Sequence, residues 1–161
     1  MASNREELRD EIVADLSAIT TDNGYQTDAG ERVHKYLIFP NEVNEFPTIC
    51  VALGREELER LDTQGNVWNS SVQVFLVGYF QASLQYAGDK VVSSEAIGED
   101  LLNDIKRVAC TWPIGSAVAT NRWVVTSPLV FNGPLYYDST RGEISVQFTV
   151  TILYQDTDFT R

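Results

Sequence analysis

Few side chains in this sequence have the types and spacing that catalysis or metal binding requires. His34 is the single histidine, and it would have to lie beside both a nucleophile and a partner acid to act as a base. With 23 acidic residues in the chain, pairs of neighbouring carboxylates are expected by coincidence. No pair is therefore singled out as a general acid and base. Phosphate-binding glycine loops, nucleophile elbows and paired metal-ligand spacings do not occur in the sequence. The sequence therefore predicts a protein that is not an enzyme and has no cofactor, metal or catalytic residues.

The two cysteines do not suggest a reactive or metal-binding site. Cys50 and Cys110 lie in apolar surroundings, on a predicted strand and at a predicted helix end. We expect both to be small core residues with free thiols, because a cytosolic setting disfavours disulfides.

The elements that would position any site begin with an amphipathic helix. Leu8, Ile12, Leu16 and Ile19 recur at helical spacing, and Asn23-Gly24 provides a helix stop. The segment 54–65 is dense in charge and is predicted to be one helical turn or a solvated loop. Strands are predicted over residues 31–39, 47–53 and 66–80, and the last of them is apolar on both faces toward its end, as a central strand would be.

The second half of the chain contains one more helix and the clearest strand. A helix is predicted from Lys90 to about Cys110, and Asn132-Gly133 is a strong hairpin signal that Pro134 weakens. Apolar and polar residues alternate strictly from Ile144 to Tyr154, which predicts a strand with one core face and one polar face. Further strands are predicted over residues 123–131 and 135–138.

This element order predicts a single domain over residues 1–161, with residues 154–161 as a flexible acidic tail. Its fold class is α+β, with a mainly antiparallel sheet of four to five strands and two helices packed on one face. The content of 43% hydrophobic and 22% charged residues is typical of a soluble globular protein. No apolar run has the roughly 20 residues of a membrane helix, and the N-terminus does not have the pattern of a secretory signal. No membrane partner is expected.

The net charge of −11 argues against a protein that grips nucleic acid. Affinity for a duplex comes mainly from Lys and Arg side chains that neutralise phosphates, and this chain has 12 of them against 23 acids. Sequence-specific binding to DNA or RNA is therefore not expected.

The most informative stretch of the sequence follows the first helix. Residues 24–33 read Gly-Tyr-Gln-Thr-Asp-Ala-Gly-Glu-Arg-Val, and a Pro-led apolar strand follows at Pro47. With the acidic-apolar helix 96–106 and the final strand 150–154, this order resembles the tail terminator (tail-completion) proteins of long-tailed bacteriophages. The motif positions, read as structural, are Gly24, Tyr25, Thr27, Asp28, Gly30 and Arg32.

The resemblance implies a virion structural protein and a particular set of partners. Such proteins form a hexameric ring on the head-proximal end of the tail tube, stop its polymerisation and join the tail to the head and neck. The implied partners are further copies of the chain, the tail tube protein, a neck or connector protein, and a sheath if the tail contracts. DNA would only pass through the lumen. The implied location is the virion tail, with assembly in the host cytoplasm.

Two groups of residues are the candidates for assembly contacts. The first is the charged segment, from which we also select Glu56, Glu57 and Asp62 as candidates for a phosphate-repelling inner wall. The second is a set of aromatic side chains that local sequence places outside the core. The candidates are Glu56, Glu57, Glu59, Arg60, Asp62, Trp68, Tyr136 and Tyr137.

Two other functions remain open at this point. The nearer is a head-tail connector or neck (head-completion) protein, which copurification with capsid and portal complexes would favour. The more distant is a small hydrolase or ligand-binding domain, which a deep pocket with converging carboxylates would favour.

Overall fold

The computed structural model describes residues 4–39, 42–61, 68–81, 85–87, 90–92, 94–115, 123–126, 128–136 and 143–156. Its helices are α1 (Asn4–Leu16) and α2 (Ser94–Ala109). Its strands are β1 (Val33–His34), β2 (Thr48–Arg60), β3 (Trp68–Gln81), β4 (Gln85–Ala87), β5 (Lys90–Val92), β6 (Trp123–Val125), β7 (Val130–Tyr136) and β8 (Glu143–Asp156).

One open mixed sheet organises the fold. Its strand order is β1-β2-β3-β8-β6, with β7 also paired to β8, while β4 and β5 form a separate hairpin. Strands β2, β3 and β8 pair antiparallel, as do β6 and β7 with β8. Strand β1 is parallel to β2, with Val33 opposite Ile49 and His34 opposite Cys50. The predicted α+β class is confirmed, and the sheet is mixed rather than purely antiparallel.

Both helices cover the same face of this sheet. Leu8, Ile12 and Leu16 of α1 recur at helical spacing and are buried. They form one core cluster with the α2 residues and with alternate residues of the central strands, and this arrangement confirms the prediction of two helices on one face. The strand residues of this cluster include Ile49, Val51, Val72, Val74, Leu76, Phe80, Phe148, Val150 and Ile152.

Within the part of the chain that the structure describes, the opposite face of the sheet is covered at one end. Cys50, Val77 and Tyr79 are buried there together with Val43 of the segment that precedes β2. The Tyr79 hydroxyl donates a hydrogen bond to the Ile38 carbonyl oxygen at 3.0 Å. The prediction that the central strand is buried on both sides toward its end is therefore confirmed.

The final strand has the predicted register. Phe148 is 1% exposed in the core under the helices, whereas Gln147 is half-buried on the other face. The predicted tail at 154–161 is wrong at its start, because Tyr154–Asp156 pair with Trp68–Ser70 of β3. Residues 157–161 lie outside the described residues.

Two predictions for the first half of the chain are wrong. In place of a strand over 31–39, a 3-10 helix spans Ala29–Arg32 and β1 is only two residues long, because tertiary contacts draw the next residues to the other sheet face. In place of a loop or helical turn over 54–60, β2 continues to Arg60, and residues 62–65 of that prediction lie outside the described residues. It continues because Glu56–Arg60 pair with Trp68–Val72, after a bulge between Leu53 and Glu56.

Predictions for the second half also need correction. Helix α2 begins at Ser94 rather than Lys90, because Lys90–Val92 pair with β4. The predicted strand 123–131 is divided between β6 and β7, and both parts pair with β8. Asn132-Gly133 is not a hairpin turn: it lies inside β7, where a register shift accommodates Pro134, which cannot donate to the ladder. This strand also includes residues 135 and 136 of the short strand predicted over 135–138.

The cysteines are free thiols, as predicted, but only one of them is a core residue. Cys50 is buried in β2, and burial raises the pKa of its thiol. Cys110 follows the end of α2 and is exposed, so its predicted core position is wrong.

Candidate assembly surfaces

The turn motif is held by a buried carboxylate that the sequence analysis missed. Asp104 of α2 is fully buried. Its Oδ2 accepts hydrogen bonds from the Thr27 backbone N–H at 2.7 Å and from the Thr27 hydroxyl at 2.8 Å. Its Oδ1 accepts one from the Gln26 N–H at 3.0 Å. The available signal was an acid among the apolar positions of a helix, between Leu101 and Val108, where a charge requires partners.

The start of the motif is fixed by a second α2 side chain. The Arg107 guanidinium lies 4.3 Å from the centroid of the Tyr25 ring and donates a hydrogen bond to the Gly24 carbonyl oxygen at 2.8 Å. Gly24 has a φ of 80°, a left-handed conformation that glycine adopts at little cost. Gly24 and Tyr25 therefore have structural roles in docking the turn on α2.

The end of the motif is fixed by backbone contacts. Asp28 accepts hydrogen bonds from the Thr21 N–H at 2.7 Å and the Thr21 hydroxyl at 2.9 Å, and these bonds lower the pKa of Asp28. A Cβ atom on Gly30 would lie 2.6 Å from the Ile19 carbonyl oxygen, so no larger residue fits. Arg32 Nε donates to the Pro47 carbonyl oxygen at 2.9 Å. The motif residues thus join the segment that follows α1, helix α2 and the residue before β2.

Glu56 of the charged segment is a structural residue at the β2 bulge. Its Oε1 accepts hydrogen bonds from the Ser70 hydroxyl and the Tyr154 hydroxyl, and its Oε2 accepts one from Arg5 Nη1 at 2.8 Å. Arg5 Nη2 also donates to the Gly54 carbonyl oxygen at 3.1 Å. Burial alone would raise the pKa of Glu56, but the hydrogen bonds from Ser70, Tyr154 and Arg5 outweigh it and hold the pKa below its ordinary value. The expectation that Glu56 is a solvated side chain is wrong.

The remaining charged residues line the outer end of the β2–β3 hairpin. Glu57, Glu59 and Arg60 are exposed, and Arg55 makes a 2.6 Å ion pair with Glu57. The Arg60 guanidinium lies 5.9 Å from the ring centroid of the half-buried Trp68. These residues stay predicted contacts. Tyr136 is the last residue of β7 and pairs with Ile144, while Asp62 and Tyr137 lie outside the described residues.

Among the described residues, the largest group of adjacent exposed hydrophobic side chains follows β1, and it was not predicted. In what we call the apolar loop, Tyr36, Leu37 and Phe39 are 65%, 52% and 66% exposed. The acidic side chains of Glu31 and Glu45, on either side of it in sequence, are 60% and 76% exposed, and Glu42 is also exposed. Isolated exposed hydrophobic residues are common, but three in one short loop indicate an interaction site.

A second surface lies at the C-terminal end of α2. A shallow groove of about 690 Å³, here called the basic groove, has two cations among its lining residues, and one of them, Arg107, lies 4.0 Å from a carboxylate oxygen of Asp104. Ile114 follows it in sequence, is 77% exposed and bridges to Val125 of β6. The lining residues are Tyr25, Asn103, Lys106, Arg107, Cys110 and Thr111.

The remaining observations concern His34, possible metal ligands and membrane-spanning helices. His34 is exposed and lines an open cleft of about 270 Å³ with Arg32, Glu42 and Glu45. Across the described ranges, no three His, Cys, Asp or Glu side chains converge as metal ligands would. No helix in the same ranges is long and apolar enough to cross a bilayer.

No protein-family model matches the chain, and no curated protein is significantly similar to it.

Proposed function

We propose that this protein is a tail terminator of a long-tailed bacteriophage, which closes into a ring on the head-proximal end of the tail tube. The observation that supports this proposal best is an open sheet whose two edges differ. At one edge of the described sheet lies β1, and at the other β6 and β7 both pair with β8. Contacts between two unlike surfaces are heterologous, and heterologous contacts generate closed rings when the rotation between copies closes.

The turn motif supports the proposal in a second way. The motif positions on which the resemblance depends are all engaged in holding the turn against α2, the segment that follows α1 and the residue before β2. The motif that carries the resemblance therefore stabilises the fold. In this proposal the protein works through contacts with its own copies, the tube and the neck, and carries out no reaction.

The charged segment has a restricted role in the proposal. The Glu56 carboxylate already accepts hydrogen bonds within the fold. The acids of β2 that face partners or the lumen are therefore the exposed Glu57 and Glu59. We expect replacement of both by Ser to leave the free energy of unfolding within about 0.5 kcal/mol, while it weakens head-tail joining.

An add-back assay tests the function. Heads and tails are prepared from lysates in which this protein is not made, and purified chain is added before particles are counted by electron microscopy. Without the chain we expect overlong tubes that do not join heads, and with it tubes of uniform length that do. Normal tails that join heads in its absence would contradict the proposal. Copurification with capsid and portal complexes rather than with tails would instead assign it to the connector proteins.

A further inference from the structure

We propose that Arg5 of α1 is a positioning residue: by holding the bulge in β2, it determines that Glu57 and Glu59 lie on the sheet face opposite the helices. This inference rests on the proposed function, in which these two acids face partners or the lumen. It adds a residue on the helix side of the sheet that acts through the strand on which the acids lie.

The bulge decides which sheet face each residue in the outer half of β2 occupies. Side chains alternate between the two faces of a strand, so a shift of one residue exchanges the faces. Leu53 and Glu56 both pair with β3 residues that face the helices, although residues three positions apart in a regular strand lie on opposite faces. The alternation is interrupted because Gly54-Arg55 stand against Gln73 alone.

The position of the two acids follows from this interruption. Glu57 and Glu59 pair with Ser71 and Asn69 on the face opposite the helices, where Glu57 and Ser71 line a cleft of about 220 Å³. Unbroken alternation would put both acids on the helix side and Leu58 on the opposite face. The same chain therefore has two possible pairings with β3, which we call the bulged register and the slipped register. The structure has the bulged register.

One guanidinium group contacts both sides of the bulge. Arg5 Nη2 donates hydrogen bonds to the Leu53 carbonyl oxygen at 3.3 Å and to the Gly54 carbonyl oxygen at 3.1 Å. Its Nη1 makes an ion pair of 2.8 Å with Glu56 Oε2 on the other side of the bulge. In the slipped register Glu56 would lie on the far face of the sheet, out of reach of Arg5. The contacts of Arg5 therefore favour the bulged register.

Other contacts of the bulge engage one side of it at a time. A Cβ atom on Gly54 would lie 2.5 Å from a ring carbon of Phe75, so a larger residue would displace that ring. The hydroxyls of Ser70 and Tyr154 donate hydrogen bonds to Glu56 Oε1. Arg5 is thus the residue that joins the two sides.

Cysteine pairs distinguish the two registers in protein that carries Cys110→Ser and is equilibrated in a glutathione buffer. Glu57→Cys with Ser71→Cys reports the bulged register, in which these residues are directly opposite each other. Leu58→Cys with Asn69→Cys reports the slipped register. In the bulged register these two positions lie on opposite faces and do not crosslink.

Replacement of the guanidinium tests the positioning role. We expect Arg5→Met to raise crosslinking of the slipped pair about tenfold or more, because it removes charge-assisted hydrogen bonds on both sides of the bulge. Arg9→Met is the matched control and should not raise it, since Arg9 lies on the same helix with its guanidinium 4.5 Å from the centroid of the Tyr36 ring. Thermal unfolding of each variant establishes that it is folded.

Deletion of Gly54 provides a second, sharper test. It leaves a single residue of β2 against Gln73, so regular alternation then puts Glu57 and Glu59 on the face opposite the helices without a bulge. Arg5→Met should therefore give no slipped crosslink in the deleted protein. Equal crosslinking of the slipped pair in Arg5→Met and in the control would overturn the proposal, and so would an effect of Arg5→Met that persists after the deletion. If the deleted protein does not fold, the comparison with the control decides.

The positioning role and the proposed function can fail separately. In the add-back assay, Arg5→Met should weaken head-tail joining, and deletion of Gly54 from that variant should restore it. A slipped register that leaves joining intact would overturn the role of Glu57 and Glu59 in the proposed function and leave the positioning by Arg5 in place. Weakened joining with an unchanged register would overturn the positioning by Arg5 alone.

Discussion

Two carboxylates give the clearest view of this fold at the scale of single residues. Asp104 and Glu56 both lie on the side of the sheet that the helices cover, and each accepts hydrogen bonds from residues far away in sequence. A carboxylate taken out of water is stable only when such donors replace the lost hydration. Each therefore specifies one arrangement of the elements around it, which nonpolar packing alone would specify less tightly.

Glu56 makes the stability of the protein depend on pH. Its pKa in the folded state is below the ordinary value because hydrogen bonds from Ser70, Tyr154 and Arg5 outweigh the effect of burial. Such a group stabilises the fold fully above its unfolded pKa of about 4.3 and loses that contribution as the pH falls through its folded pKa. We expect Glu56→Gln to cost about 1.5 to 3 kcal/mol at neutral pH and progressively less below pH 4.

Chemical denaturation at several pH values measures this effect. Glu57→Gln is the control, since that side chain is 64% exposed on the same strand, and we expect it to change the free energy of unfolding by less than about 0.5 kcal/mol. If the wild type and Glu56→Gln lose stability in parallel as the pH falls, the carboxylate does not have the lowered pKa described here.

At the scale of elements, helix α2 positions the segment of chain that leads into the sheet. It contacts β3 and β8 through its apolar face, and through Asp104 and Arg107 it also holds the turn motif. The motif in turn leads into the 3-10 helix that packs on β2. Through the turn motif, Asp104 and Arg107 of α2 therefore affect the positions of β1 and β2.

Asp104→Ala should destabilise the protein by about 3 kcal/mol or more, because it leaves the N–H groups of Gln26 and Thr27 without their buried acceptor. Asn103→Ala, at the exposed neighbouring position of the same helix, should change stability by less than about 0.5 kcal/mol. Hydrogen exchange of the Gln26 and Thr27 amides reports the same event locally. Unchanged protection of these amides in Asp104→Ala would show that the turn is held by other contacts.

At the scale of the whole molecule, charge is the property that bears most directly on function. Six copies would carry 6 × −11 = −66, and walls that repel phosphate would let DNA pass without being gripped. Exposed acids such as Glu57 and Glu59 are available for such a wall, whereas Glu56 is not.

Duplex binding measured at about 50 mM salt tests this view, because screening is weak there and a basic site would be at its strongest. We expect no measurable binding to a short DNA duplex. Tight binding that weakens steeply with added salt would contradict the repulsive lumen, and it would direct attention to the basic groove around Lys106 and Arg107.

The elements predicted well are those whose pattern reflects burial. Strand β8 alternates because one of its faces lies under the helices, and α1 repeats Leu8, Ile12 and Leu16 because one side of it is buried. The segment 54–65 was predicted poorly because its charges suggest solvent, while pairing with β3 extends β2 through Arg60 regardless of side-chain polarity.

The sequence by itself determined the α+β class, the strand residues that face the helices and the acidic charge, and it displayed the turn motif. These follow from local periodicity and residue type, which a linear chain displays directly. Only the tertiary structure decided that Asp104 anchors the motif and that Glu56 is a structural residue. Those facts depend on contacts between residues as far apart as Glu56 and Tyr154, and no local pattern encodes such a contact.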